Sequence, residues 1–170
     1  MQQPQPWSPR VPGGDGTRLA RILLFDEVDA ARALGFADVE APEPGIGEIR
    51  YRVNAFALNR SDLLFLNDEH YSVATLPSRI GTEACGVVDA VGPDITRFAV
   101  GYPVTSIPYR NTAGTNRNVA GEFALTPERY LMAWPTGLPA PEACSLTMQY
   151  LTAYSRSARK RNSTQAIGCL

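Results

Sequence analysis

Metal and nucleophile chemistry draws on cysteine, histidine and carboxylate side chains held close together. This chain is poor in the first two, with three cysteines and one histidine in 170 residues. His70 lies in a polar stretch and reads as a surface residue. Cys85, Cys144 and Cys169 are widely spaced and odd in number, and they form no CxxC pair. That pattern argues against a disulfide framework and suits a reducing compartment, so a cytoplasmic location is expected. Glu83 stands in the glycine-bracketed stretch Gly81-Thr82-Glu83-Ala84-Cys85-Gly86, but one carboxylate does not make a metal site. A dinucleotide needs backbone amides at a helix N-terminus, announced by G-x-G-x-x-G. No such motif occurs, and Gly168 is the only glycine after Tyr154.

The elements that must position any site are mostly strands. Leu19–Phe25 reads as a first strand through Ile22, Leu23 and Leu24, and 37–40 as a second. Pro42-Glu43-Pro44-Gly45-Ile46-Gly47 is a dense turn signal. Residues 48–58 alternate, with Ile49, Tyr51, Val53 and Ala55 on one side against Arg50, Arg52 and Asn54 on the other. Ser61 is placed to cap a short helix over 62–66, with Asp62 in its first turn. Strands are expected over 86–91 and 98–108, the latter interrupted by Gly101 and Pro103. A polar loop follows over 111–121. Two short strands over 122–126 and 130–134 should pair with each other. A helix over 140–154 starts with Pro141 and Glu142 and carries Ala143, Leu146, Met148, Leu151 and Tyr154 at roughly helical spacing. Fourteen glycines and fourteen prolines keep helices short and turns frequent. The fold class is therefore mainly β with short helices, a partly open barrel.

A hydrophobic content of 44% with 19% charge allows an ordinary globular core. A net charge of -1 gives no reason to expect nucleic acid or an anionic membrane as partner. Residues 1–18, rich in Gln, Pro and Gly, lack the apolar segment of a secretory signal and read as a disordered arm. Residues 155–170 hold Arg156, Arg159, Lys160 and Arg161 without an acid, and read as an irregular, solvated basic tail.

Four segments, taken in order, resemble the N-terminal half of the medium-chain dehydrogenase/reductase superfamily. They are the Pro42 to Ile49 turn, Leu58-Asn59-Arg60-Ser61-Asp62, Gly81-Thr82-Glu83-Ala84-Cys85-Gly86-Val87-Val88 with Val91-Gly92, and Met148-Gln149-Tyr150-Leu151-Thr152-Ala153-Tyr154. The resemblance covers about residues 19–154. It implies a GroES-like barrel over 19–139, and a helix over 140–154 that leads toward a coenzyme domain of Rossmann type absent from this sequence. Zinc-dependent relatives place Cys and His where this chain has Asn59 and Thr82, so no zinc is expected. Zinc-free relatives pass hydride from NADPH to a quinone or an activated enone. By that resemblance Asn59 lies nearest the chemistry, its amide able to donate to the substrate or the nicotinamide. Tyr71 is expected to present its ring to the pocket, and Arg60, Ser61, Thr82 and Glu83 to line the substrate cleft. Thr152 is expected near the nicotinamide. Read from the residues alone, Asn59 is equally a turn residue, and Thr152 a helix threonine bonded to its own backbone.

The sequence departs from the family at Gly101-Tyr102-Pro103-Val104, where an aspartate usually follows the glycine. The orphan stretch after Tyr154 suggests a truncated oxidoreductase, inactive alone. A stand-alone small-molecule-binding module, or a subunit that docks on a separate coenzyme-domain chain or pairs as a homodimer, accounts for the same features. Of the recognition glycines, Gly86 and Gly92 are read as builders of the barrel.

Overall fold

The computed structural model of the chain describes residues 18–26, 34–70, 73–107, 118–135 and 137–167. Residues 1–17 of the arm expected over 1–18, most of the 111–121 loop and Tyr71 lie outside the described residues. Every strand pair among the described residues is antiparallel. Strand β1 (Leu19–Phe25) lies between β2 (Gly35–Glu40) and β4 (Ser78–Arg79) in a small sheet. A larger sheet runs β7-β3-β5-β6-β8, built from β3 (Glu48–Ala57), β5 (Glu83–Val91), β6 (Pro103–Ser106), β7 (Phe123–Pro127) and β8 (Leu131–Ala133). A bridge between Ile22 and Gly121 joins the two sheets. The result is a partly open barrel, mainly β, with two short helices and one long one. Among the described residues no helix is long and apolar enough to cross a membrane.

The central pair β3–β5 explains the alternation read from the sequence. Ile49 and Tyr51 are fully buried, in a core with Ala84, Val88, Val104, Ala124 and Leu131. Gly86 sits opposite Val53, where an added Cβ would overlap the Arg52 carbonyl, so only glycine lets the strands meet. Gly92 is held in the same way against the Gly45 carbonyl. Both glycines are thus explained as barrel builders.

Arg50 departs from its expected exposure. It is only 7% exposed. The ladder pairs Arg50 with Ala90 and Tyr51 with Val88, which skips Asp89 as a bulge on β5. Asp89 there accepts from Arg50 Nε at 2.8 Å and from Arg18 Nη1 at 2.8 Å. Arg50 Nη1 also donates to Glu43 at 2.8 Å and to the Pro42 carbonyl at 3.2 Å. The Phe123 ring lies 4.3 Å from the Arg18 guanidinium carbon and 5.7 Å from that of Arg50.

Three other expectations are corrected. The short strands near 122–134 do not pair with each other: β7 pairs β3, and β8 pairs β6. A 3-10 turn over Glu128–Tyr130 separates them, so no tight hairpin forms. The helix expected over 140–154 is two helices, α2 (Ala140–Ala143) and α3 (Leu146–Ile167). The stretch from 155 onward, read as irregular, continues α3 as far as Ile167. No proline or glycine occurs between Leu146 and Ile167, and Ala, Arg, Lys and Gln are good helix formers, so nothing stops the helix before Gly168.

Burial would raise the Asp89 carboxyl, but the Arg18 and Arg50 guanidinium groups outweigh it and hold Asp89 below the usual carboxylate range. A carboxyl lowered by folding contributes stability above its unfolded pKa, near 3.8, and that stability is lost as pH falls through the folded value. Asp89→Asn should therefore lower the melting temperature at pH 7 and flatten its decline between about pH 5 and pH 2. Thermal melts across that range check this, and an acid limb identical to wild type would remove Asp89 from the account.

Candidate functional site

The site begins where β3 ends. Leu58 and Asn59 carry the chain from β3 into the short helix α1 (Arg60–Leu66). The cap is Asn59, two residues before the expected Ser61. Its backbone is extended, with φ -117° and ψ 164°. Asp62 reaches back, and its Oδ2 accepts from the Asn59 backbone N–H at 2.7 Å. The other oxygen, Oδ1, accepts from the Gly81 N–H at 3.0 Å. One buried carboxylate thus ties the start of α1 to the Gly81-Thr82-Glu83 segment. Burial pushes the Asp62 carboxyl up, against the pull of these two N–H donors.

Glu83 opens β5 and is 0% exposed. Its Oε1 accepts from Asn59 Nδ2 at 3.0 Å. Its Oε2 accepts from the Thr147 hydroxyl and the Met148 N–H, both at 2.7 Å. Thr147 and Met148 lie in the first turn of α3, whose backbone N–H groups have no partners within the helix. The carboxylate therefore serves as a cap supplied from another element, and it gives α3 an N-terminus of its own. This is why the helix expected over 140–154 divides. The Ser145 hydroxyl shares its proton between the adjoining carbonyls of Glu142, at 3.0 Å, and Pro141, at 3.2 Å.

The structure thus brings together Asn59, Thr82 and Glu83. Arg60 and Ser61 follow in the first turn of α1, and Arg60 is exposed. The Thr82 hydroxyl is shielded from solvent and has no hydrogen-bond partner among the described residues. Thr152 stands farther along α3, exposed, with its hydroxyl donating to the Met148 carbonyl at 2.7 Å. That is the backbone-bonded threonine of the plainer reading. His70 packs its ring edge-on against Phe65, with centroids 5.8 Å apart. Sequence reasoning missed Asp62, Thr147 and Gln149. Gln149 Nε2 donates to Asn59 Oδ1 at 3.1 Å. No sequence signal announced Thr147 or Gln149, because the helix was expected to start at residue 140 and not at Leu146.

The donor set does not fit zinc. Asn59 and Thr82 offer an amide and a hydroxyl, and both Glu83 oxygens already accept hydrogen bonds. Burial pushes the Cys144 thiol up and the Cys85 thiol up to about 12, so both stay protonated at neutral pH. Their sulfurs donate to the Pro141 and Ala140 carbonyls. No cluster of three potential ligands occurs among the described residues. Nor do these residues fit a dinucleotide pyrophosphate, because Glu83 already holds the Met148 amide at the α3 N-terminus. A separate groove of about 570 Å³ runs beside β3, lined by Phe36, Val53, Phe56, Ala57, Pro141 and Cys144 among others.

An antiparallel, partly open barrel with a polar cluster where its long helix departs is the architecture of a GroES-like domain. The chain belongs to the alcohol dehydrogenase GroES-like domain family, whose pattern matches residues 45–138, and so to the medium-chain dehydrogenase/reductases. It is 30% identical to a quinone oxidoreductase of Pseudomonas aeruginosa over 134 residues, which are 79% of this chain and 39% of that protein. A zinc-type alcohol dehydrogenase-like protein of Staphylococcus aureus is 31% identical over 66% of this chain and 32% of its own length. The crystal structure of a quinone oxidoreductase from Pseudomonas syringae superposes with a TM-score of 0.67 at 30% identity, over 78% of this chain and 39% of that one. The chain thus spans between a third and two fifths of the length of these relatives.

Removing the Glu83 carboxylate leaves the Asn59 amide and the Met148 N–H without this acceptor, and takes one of two acceptors from the Thr147 hydroxyl. Glu83→Ala should lower unfolding stability by about 3 kcal/mol or more, and Thr147→Val by about 1 kcal/mol. Urea denaturation of both variants checks the order. A smaller loss in Glu83→Ala than in Thr147→Val would mean that the carboxylate is not the anchor.

Proposed function

We propose that this chain is the substrate-side domain of a zinc-independent, NAD(P)H-dependent oxidoreductase that acts on quinones or activated enones. The observation that carries the reading is the Asn59 amide. It is fixed between a buried carboxylate and the departing helix, at the position that the family resemblance puts nearest the chemistry. Glu83 uses one of the two Asn59 Nδ2 protons, and the other is left for the oxygen of a bound carbonyl. A donor held in place before the ligand arrives stabilises charge developing on that oxygen without further reorganisation. The unmet Thr82 hydroxyl is a second group suited to a polar ligand. Arg60, Ser61 and Tyr71 complete the proposed cleft.

The family of quinone oxidoreductases and alcohol dehydrogenase-like enzymes supports an oxidoreductase. The amide and hydroxyl at Asn59 and Thr82, where zinc-dependent relatives place Cys and His, favour the zinc-free branch. We assign NADPH binding to the part of the relatives' length that this chain does not span, with Thr152 facing the nicotinamide end. Beyond Met148, α3 exposes Tyr150 at 70%, Leu151 at 46% and Tyr154 at 64%. A coenzyme domain, in this or a separate chain, is the partner that such a face suits, and a homodimer is the alternative. By itself the chain binds the carbonyl ligand and carries out no redox turnover. The free, buried thiols Cys85 and Cys144 are compatible with a cytoplasmic setting.

Titration of the 15N-labelled chain with 2-cyclohexenone should shift the Asn59 side-chain signals, with millimolar affinity typical of so small a ligand. Asn59→Ala should weaken binding about fivefold to tenfold while leaving the fold intact. Shifts confined to the groove beside β3, with Asn59 unaffected, would overturn this reading.

A further inference from the structure

A side-chain amide has two ends of nearly equal size and opposite hydrogen-bonding sense. At Asn59 the surroundings decide which end is which. The carboxylate of Glu83 accepts, so the Nδ2 end must face Oε1, at 3.0 Å. The Oδ1 end then points away from the barrel interior, and Gln149 Nε2 meets it at 3.1 Å. Gln149 is exposed on α3, beside Met148, whose backbone N–H is held by Glu83 at 2.7 Å. The contacts close a ring from Glu83 to Asn59, on to Gln149, and back through the α3 backbone to Glu83. Three elements meet in it: β5, the cap of α1 and the first turn of α3.

We propose that Gln149 is a positioning residue, which locks the rotation of the Asn59 amide and biases it to act as a donor toward the ligand. The inference rests on the functional reading of Asn59 and adds the source of its orientation. Held only by Glu83, the amide could pivot about its χ2 bond. Held at both ends, it keeps a fixed plane. With Oδ1 taken by Gln149, the group is disposed to offer its remaining N–H. A carbonyl oxygen suits that arrangement, whereas a hydroxyl seeking an acceptor competes with Gln149. Because Gln149 travels with α3, the amide's orientation follows the seating of that helix.

The test compares two substitutions at this exposed site in the full chain. Gln149→Lys keeps a donor for Oδ1, and Gln149→Glu offers only an acceptor. The readout is the pair of Asn59 Nδ2 proton signals, their separation and their exchange with water. The lysine variant should retain the wild-type pattern. The glutamate variant should speed exchange about tenfold and collapse the separation toward that of free asparagine. Backbone signals of β5 should be unchanged in both, which excludes a folding defect. Equal behaviour of the two variants, whether both wild-type or both altered, would overturn the proposal. If wild-type and lysine signals hold as expected but 2-cyclohexenone shifts neither, the functional reading of Asn59 fails while the positioning by Gln149 stands.

Discussion

Taking a carboxylate fully out of water costs several kcal/mol unless its lone pairs are met by donors. Glu83 is such a group, and much of the site is arranged to meet it. Its donors come from three places in the chain: the loop after β3, the side chain of Thr147 and the backbone of Met148. No cation takes part in these bonds. Neutral N–H and O–H groups supply the compensation, together with the positive end of the α3 dipole. The arrangement fixes a long helix on a small barrel through one residue at the start of a strand. The Thr147 hydroxyl also lies 2.8 Å from the Ser106 carbonyl, so its one proton is shared between that oxygen and Glu83 Oε2, which ties the same turn to β6.

Asp62 performs the companion task on the backbone. It clamps the Asn59 and Gly81 N–H groups, so the two loops that carry the polar cluster cannot drift apart without exposing a buried acid. The cluster thus has a rigid floor of two carboxylates, each occupied by protein donors. This occupancy decides the chemistry. Carboxylates already engaged by protein donors are poorer metal ligands, and the neighbouring thiols are held protonated by burial. What the cluster keeps free is hydrogen-bonding capacity at Asn59 and Thr82, the equipment for holding a neutral oxygen.

The parts of this architecture that were legible in the sequence are those written in local pattern. The alternation of Ile49, Tyr51 and Val53, the turn at Pro42 to Gly47 and the glycines at 86 and 92 each obey a short-range rule. The fold class follows from them. What escaped was decided at a distance. Arg50 alternates as a surface residue, yet a bulge at Asp89, 39 positions away, draws it inward. The two strands flanking the 3-10 turn pair with separate neighbours because β3 and β6 already offer open edges. The break between α2 and α3 depends on Glu83, more than sixty positions upstream of the helix it caps. The far end of α3 shows the reverse error. There a change in composition suggested an irregular tail, while the absence of proline and glycine was the stronger local fact. At the site, Asn59, Thr82 and Glu83 were reached through family resemblance, whereas Asp62, Thr147 and Gln149 act through contacts that no spacing announces.

The anchoring of α3 at its first turn has a mechanical consequence. Twenty-two helical residues make a rod of about 33 Å, and its contacts to Glu83 all fall within the first turn. Such a rod is a lever with its fulcrum at the polar cluster. A tilt of about 10° at the fulcrum sweeps the far end through about 6 Å, by simple proportion over that length. The amplification also runs backward: a displacement of several ångströms imposed on the distal turns reaches the fulcrum as a fraction of an ångström, the scale on which hydrogen bonds are kept or lost. Whatever grips the outer half of this helix therefore holds a fine adjustment on the Asn59 amide.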